Sequence, residues 1–206
     1  MANRSSSSRW LQRQKTDTFV KQRDQQGYRS RAAYKLRELA ARDRLIRSGS
    51  RVLDLGASPG GWTQVAVALA GPRGQVLALD ILAMEPIPGA HFIHGDCRDP
   101  AIRQQVTAEL GADKVDLVMS DMAPNISGIK DVDEAGMVEL AEITLDLTDE
   151  LLRPGGSLLI KLFQFADTES VVKRIKCSFA DVARRKPEAS RVQSREFYVV
   201  AKQYGL

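Results

Sequence analysis

The 206-residue chain holds only two cysteines, Cys97 and Cys177, and no Cys-x-x-Cys pair. That leaves neither a disulfide framework nor a cysteine-built zinc module. His91, His94 and Cys97 recur every three residues, but without a fourth ligand they read as a strand edge and its loop, and no metal is expected. Long hydrophobic runs are also missing. The apolar stretches are strand-length, well short of the roughly 20 residues of a membrane span, and the start, Met1 to Ser8, has no apolar segment behind its arginine. The expected location is the cytoplasm. What remains, 43% apolar and 27% charged residues, is the composition of one globular domain able to bury a full core.

The net charge of +4 conceals a segregation. Residues 1–51 hold 14 Lys+Arg against 4 Asp+Glu, residues 52–172 hold 7 against 19, and residues 173–206 hold 9 against 3. Basic ends around an acidic middle suggest that the chain ends bind a polyanion, nucleic acid first, while the centre has another task; a solvated helix face with a basic tail is the competing reading.

Residues 1–27 read as a basic, partly mobile arm, opened by Ser5–Ser8 and carrying only Trp10, Leu11, Phe19 and Val20 as apolar anchors. Residues 28–206 read as one domain. Ser30 is placed to cap a helix over 31–42, with an apolar stripe of Ala32, Leu36, Leu39 and Ala40 beside Lys35. From Arg51 short apolar runs, at 52–55, 76–79, 91–93, 115–119 and 157–162, alternate with helical patterns at 62–70, 101–110 and 135–152, the last closed by Pro154-Gly155-Gly156. Such alternation predicts a parallel sheet with helices on both faces. Segments 180–184 and 197–202 add a terminal antiparallel hairpin, giving a mostly parallel seven-stranded sheet like that of class I methyltransferases.

The most specific stretch is Val52-Leu-Asp-Leu-Gly-Ala-Ser-Pro-Gly-Gly-Trp62, a buried strand emptying into a glycine-rich turn and then a helix. Open parallel sheets bind nucleotide-like ligands at such a place. A dinucleotide fingerprint would need glycine at position 58, which is serine followed by proline. What survives is a close backbone approach at Gly56, Gly60 and Gly61 over Asp54, a lining that suits a ligand without phosphates bearing an amino group and a sulfonium, S-adenosylmethionine. Asp80 and Asp96 end the next two strands, where one carboxylate can accept from ribose hydroxyls and the other from the adenine amine. Strand-end aspartates also serve as loop caps, yet they recur here at successive strand ends.

After the fourth strand comes Ser120-Asp121-Met122-Ala123-Pro124-Asn125, which lacks the aromatic that stacks a flipped base in amine methyltransferases. In Leu158-Leu-Ile-Lys-Leu-Phe163 a lysine interrupts an apolar strand, where a buried charge is costly. Snorkelling or a core ion pair is its alternative explanation.

These motifs, together with Ser8-Arg-Trp-Leu, Arg29-Ser-Arg-Ala, Lys186-Pro and Ser194-Arg-Glu, make the chain resemble the FtsJ/RrmJ ribose 2′-O-methyltransferases of large-subunit ribosomal RNA over nearly its whole length. The resemblance implies a catalytic set of Lys35, Asp121, Lys161 and Glu196, and cofactor contacts from Asp54, Gly56, Gly60, Gly61, Trp62, Asp80, Asp96 and Asp121. It also implies S-adenosylmethionine as cofactor, the large ribosomal subunit as partner, and a uridine of the A-loop of 23S RNA as target. A monomer is expected. Methyl transfer needs in-line attack from about 3–3.5 Å and a base beside the ribose hydroxyl. Lys161 is the expected base, Asp121 its orienter, Lys35 a positioner of the 2′-oxygen or its phosphate, and Glu196 a support. Arg9, Arg13, Lys15, Arg29, Arg31 and Arg37 are expected to grip phosphates, with Trp10, Tyr28 or Tyr34 stacking on bases. Rival readings are a nicotinamide oxidoreductase, disfavoured by the missing glycine; a non-catalytic ribosome-assembly factor, disfavoured by the intact set; and a methyltransferase for transfer RNA or messenger-RNA caps, for which no cap-binding module is evident.

Overall fold

A computed structural model describes residues 26–206 apart from positions 126, 166 and 192. The basic arm expected over 1–27, with Arg9, Trp10, Arg13 and Lys15, lies outside the described residues except for its last two positions. The elements run α1 (Ala32–Asp43), β1 (Arg51–Leu55), α2 (Gly61–Ala70), β2 (Gln75–Asp80), β3 (Ala90–His94), α3 (Pro100–Leu110), β4 (Val115–Ser120), α4 (Lys130–Leu151), β5 (Leu152–Phe163), α5 (Thr168–Ser178), β6 (Phe179–Arg185) and β7 (Glu196–Tyr204).

The strands form one sheet in the order β3-β2-β1-β4-β5-β7-β6. Pairing is parallel from β3 to β5, while β7 runs antiparallel to both β5 and β6. The order reverses beside β1, so the carboxyl ends of β1 and β4 border the crevice where such sheets take ligands. Helices α1 and α2 cover one face, with Leu36, Leu39, Trp62 and Val65 packed on Val52, Leu117, Leu159 and Tyr198. Helices α3, α4 and α5 cover the other, with Val106, Met137, Leu147 and Ile175 among the residues packed on Leu53, Val118 and Leu158.

Three local expectations need correction. Ser30 does not cap α1: the N-cap is Arg31, whose side chain makes no capping bond to the helix, and Ser30 is turned toward α2, its Oγ 2.1 Å from where a Cβ on Gly61 would stand. Helix α4 starts at Lys130, five residues before the apolar pattern, because the Asp133 carboxylate takes the Ser127 and Gly128 amides and the Ser127 hydroxyl at 2.7–3.2 Å and organises the entry. Helix α4 ends at Leu151, one residue before its expected bound, but its C-cap is Leu152, and Pro154-Gly155-Gly156 lies within β5. Val115 pairs with Leu152 and Leu117 with Ser157, so the intervening β5 residues form an irregularity in the strand.

The terminal strands β6 and β7 pair antiparallel as expected, and β7 also pairs antiparallel with β5. Helix α5, whose short stripe of Val171, Val172 and Ile175 is buried, carries the chain from β5 past the sheet to β6, and β7 then inserts between them. Strand β6 therefore runs with β1–β5, and β7 alone runs against them.

Candidate active site

Strand β1 ends in the turn 56–60, where Gly56 has φ +75° and a Cβ would meet Met122 Cγ at 2.6 Å, so a side chain is excluded on both conformational and steric grounds. Below it Asp54 is wholly buried; Oδ2 accepts from Thr63 Oγ1 at 2.6 Å, and Oδ1 has no hydrogen-bond partner. Burial, only partly offset by Thr63, and the nearby Asp121 and Asp80 charges push its carboxyl up to about 7.

Beyond the turn opens a cavity of about 460 Å³, bordered by Gly56, Asp80, Ile81, Leu82, Asp96 and Asp121, with Met122 to Asn125 and the α4 residues Gly136, Glu139 and Leu140 along the far wall. Its size lies within the range of small-molecule sites. Asp80 ties its two rims together, Oδ2 accepting from the Ser58 amide at 2.8 Å and Oδ1 from the Leu82 amide at 2.7 Å. Asp80 thus caps the loop while bordering the cavity, and each of its oxygens retains a second lone pair. Asp96 is held by the Arg98 side chain at 2.7–3.0 Å, and that hydrogen bonding lowers its carboxyl below the ordinary range.

Gly56, Asp80, Asp96 and Asp121 thus meet on one cavity, and Asp54, Gly60, Gly61 and Trp62 do not border it. Asp54 lies beneath the turn. A Cβ on Gly60 would meet Ile87 after β2 and Arg29, and one on Gly61 would meet Ser30, so these glycines admit close packing of the segment after β2 and of the residues that lead into α1. Trp62 is buried, donates from Nε1 to Ala32 O at 2.9 Å, and lies 5.8 Å from the Tyr198 ring. Ile81 and Leu82, missed in the sequence, remain 60% and 62% exposed at the rim; the available signal was an apolar pair directly after a strand-end aspartate.

Lys35, Asp121, Lys161 and Glu196 come together beside the cavity. Cross-strand pairing sets Lys161 opposite Tyr198 and Phe163 opposite Glu196. Paired and alternate positions share a face, so Lys161, Glu196 and Tyr198 all point toward α1, which supplies Lys35. The Lys161 ammonium lies 3.1 Å from Asp121 Oδ1 and also donates to the Asp121 carbonyl. Lys35 pairs with Glu196 and lies 3.3 Å from Tyr198 Oη, and that phenol donates to Asp121 Oδ1 at 2.9 Å. A continuous chain results, Glu196–Lys35–Tyr198–Asp121–Lys161, in which two lysines and two acidic side chains flank a phenol.

Sequence reasoning missed Tyr198, which is the bridge. Its signal was the Glu196-x-Tyr198 spacing, two residues on one strand face. Burial and the adjacent Asp121 raise the phenol well above its ordinary value, so it remains a donor. Burial would raise Glu196 too, but the Lys35 charge and hydrogen bond, with Lys161 beyond, hold it below the usual range.

Of the residues expected to grip phosphates, Arg29 spends its guanidinium on three backbone carbonyls, Arg31 donates to Ala189 O at 2.6 Å, and exposed Arg37 lies 5.9 and 5.8 Å from the centres of the Tyr28 and Tyr34 rings. Among the described residues no three His, Cys, Asp or Glu side chains form a metal-binding group, and no helix is long and apolar enough to cross a membrane.

Comparison with known proteins identifies the family. Two curated relatives, both named ribosomal RNA large subunit methyltransferase E, are 48% identical: that of Marinobacter nauticus over 98% of each chain, and that of Alkalilimnicola ehrlichii over 98% of this chain and 97% of its own. A solved structure described as a ribosomal RNA methyltransferase of Plasmodium falciparum superposes with TM-score 0.76 at 28% identity, covering 86% of this chain and 98% of that one. Fibrillarin of Aeropyrum pernix, solved with S-adenosyl-L-methionine, shares the fold at TM-score 0.56 and 18% identity, over 82% of this chain and 75% of its own. The FtsJ-like methyltransferase family matches residues 28–204, and the chain belongs to that family.

Proposed function

We propose that this protein is an S-adenosylmethionine-dependent ribose 2′-O-methyltransferase of large-subunit ribosomal RNA, acting in the cytoplasm on the assembled or assembling subunit. The observation that carries the reading is Asp121, which borders the cavity and anchors Lys161 and Tyr198. One carboxylate thereby joins a ligand pocket to a buried amine. The names of the 48% identical relatives support the substrate class.

The cavity fits the cofactor. Asp80 has a free lone pair on each oxygen for a ribose diol, Asp121 offers negative charge for the amino and sulfonium groups, and Ile81 and Leu82 give an apolar rim for a purine face. Bound there, S-adenosylmethionine would supply an electrophilic methyl group. Lys161 prepares the acceptor: in its neutral form two N–H bonds are used by the Asp121 carbonyl and carboxylate, which aims the nitrogen lone pair away from Asp121 to receive the ribose hydroxyl proton. Tyr198 and Lys161 fix the Asp121 carboxylate from two sides, and Glu196 fixes Lys35, which supplies positive charge for the oxygen that becomes nucleophilic. The loop 122–125 offers no aromatic platform for a base, which favours the sugar over an exocyclic amine. The uridine of the A-loop is the target indicated by the family resemblance.

The test maps alkali-resistant linkages in ribosomal RNA from cells with and without the protein, because a 2′-O-methyl group removes the nucleophile of alkaline cleavage. One large-subunit linkage, at the A-loop uridine, should lose its resistance. Unchanged alkali resistance, with a methyl group lost from a base instead, would overturn the sugar assignment.

A further inference from the structure

Arg29 carries sequence features of an RNA contact and structural features of something else. It is half-buried at the entry to α1, and its guanidinium donates to Pro59 O at 3.3 Å, to Pro86 O at 2.8 Å and to Glu85 O. Its backbone amide donates to Gln64 Oε1 at 2.8 Å, and Gln64 Nε2 returns to Gly27 O at 3.1 Å, which fixes the residue against α2. Pro59 belongs to the turn after β1, whereas Glu85 and Pro86 belong to the segment after β2. Both segments rim the cavity, the first through Gly56 and Ser58 and the second through Ile81 and Leu82.

We propose that Arg29 is a positioning residue of the cofactor site, a clamp that sets the width of the cavity by fastening the segment after β2 to the turn after β1 from outside. Asp80 fastens the same two segments from inside, through Ser58 and Leu82. The left-handed Gly60 is where the clamp passes: a Cβ there would stand 3.2 Å from Arg29 Cδ and Nη1 and 2.5 Å from Ile87 Cδ1. A guanidinium suits the task because its planar fork spans carbonyls on separate segments, while an ammonium concentrates its donors at one point. Three of its five N–H donors are thereby committed to carbonyls. The assignment rests on the cavity being the cofactor site proposed above.

The experiment compares wild type, Arg29→Lys and Arg29→Ala in calorimetric binding of S-adenosylmethionine, in the salt dependence of binding to ribosomal RNA, and in steady-state methylation. Failure of wild type to bind S-adenosylmethionine would sink the cofactor reading itself. With wild-type binding in hand, the clamp predicts that both variants lose cofactor affinity by about tenfold or more, Arg29→Lys nearly as much as Arg29→Ala. It further predicts that the KM for cofactor rises while kcat at saturating cofactor stays near wild type, and that the salt slope for RNA does not change. A merely structural role would lower kcat through a smaller folded fraction and leave KM alone. Wild-type cofactor affinity in Arg29→Lys, or a salt slope that falls by one phosphate in Arg29→Ala, would overturn the proposal in favour of an RNA contact.

Discussion

A lysine in an apolar strand is costly unless its charge is used, and Lys161 is 7% exposed in β5 with both described partners on Asp121. Lys161→Met keeps the apolar stem and removes the proposed proton acceptor. Single-turnover methyl transfer should fall about 10²–10⁴-fold with cofactor affinity retained, and Lys161→Arg should do nearly as badly, since a guanidinium stays protonated; a near-wild-type rate in Lys161→Arg across pH 6–10 would reduce Lys161 to a fixed charge. Tyr198→Phe keeps the ring against Trp62 and deletes the bridge between Lys35 and Asp121. It should lower kcat more than it raises the KM for cofactor, and the ratio of the two effects is the measurement. Asp54 has a separate signature. Its folded-state value of about 7 lies above its ordinary 3.8, so its contribution to stability is complete below about pH 4 and is lost as pH rises toward 7. Thermal midpoints of wild type should therefore fall relative to those of Asp54→Asn between pH 4 and 7 and run parallel above it. Parallel midpoints over the whole range would show that Asp54 does not titrate there. At this scale Lys35, Asp121, Lys161 and Glu196 were legible because each stood in a motif, whereas Tyr198 was hidden because a tyrosine in a strand is ordinary core material.

Elements were legible where burial on both faces produced mainly apolar runs, broken in β1 by Asp54 and in β4 by Asp116. Strands β1, β2 and β4 are of this kind, and each begins and ends within a residue of its expected span. Helix α5 escaped notice because it buries only one narrow stripe and its remaining positions are charged or polar. The entry of α4 and the irregularity in β5 depend on side chain–backbone bonds and strand register, which periodicity does not report. The turn after β1 makes the sharpest prediction at this scale. Gly56→Ala puts a Cβ at φ +75° and 2.6 Å from Met122 Cγ. A cost of about 1–3 kcal/mol is expected, with weaker binding of S-adenosylmethionine because Met122 borders the cavity. Denaturant unfolding together with calorimetry checks both; an unchanged midpoint would mean that the turn relaxes without strain.

Across the whole molecule the charge is divided by chain position, and the ligand cavity lies in the acidic middle, with Asp80, Asp96 and Asp121 on its rim. Residues 1–25 carry six Lys+Arg against two Asp. If they bind ribosomal RNA, deleting them should flatten the salt dependence of binding, by about 0.7–0.9 in the logarithmic slope for each phosphate that is no longer neutralised, and leave cofactor affinity as it was. An equal slope with and without them would assign the RNA surface to other basic residues. The sequence by itself determined the layered parallel architecture, the turn after β1 and the charged residues at strand ends, because these follow from local hydrophobic pattern and from the few residues that a tight turn admits. Only the tertiary structure decided that β7 inserts between β5 and β6, that Gly60 packs on Ile87 and Arg29, Gly61 on Ser30 and Trp62 on Ala32 rather than bordering the cavity, and that Arg29 donates to carbonyls. Strand alternation specifies a face but not a neighbour. The pairing that sets Tyr198 opposite Lys161, and Glu196 against a lysine 161 residues earlier in the chain, arises from long-range packing of β7 beneath α1.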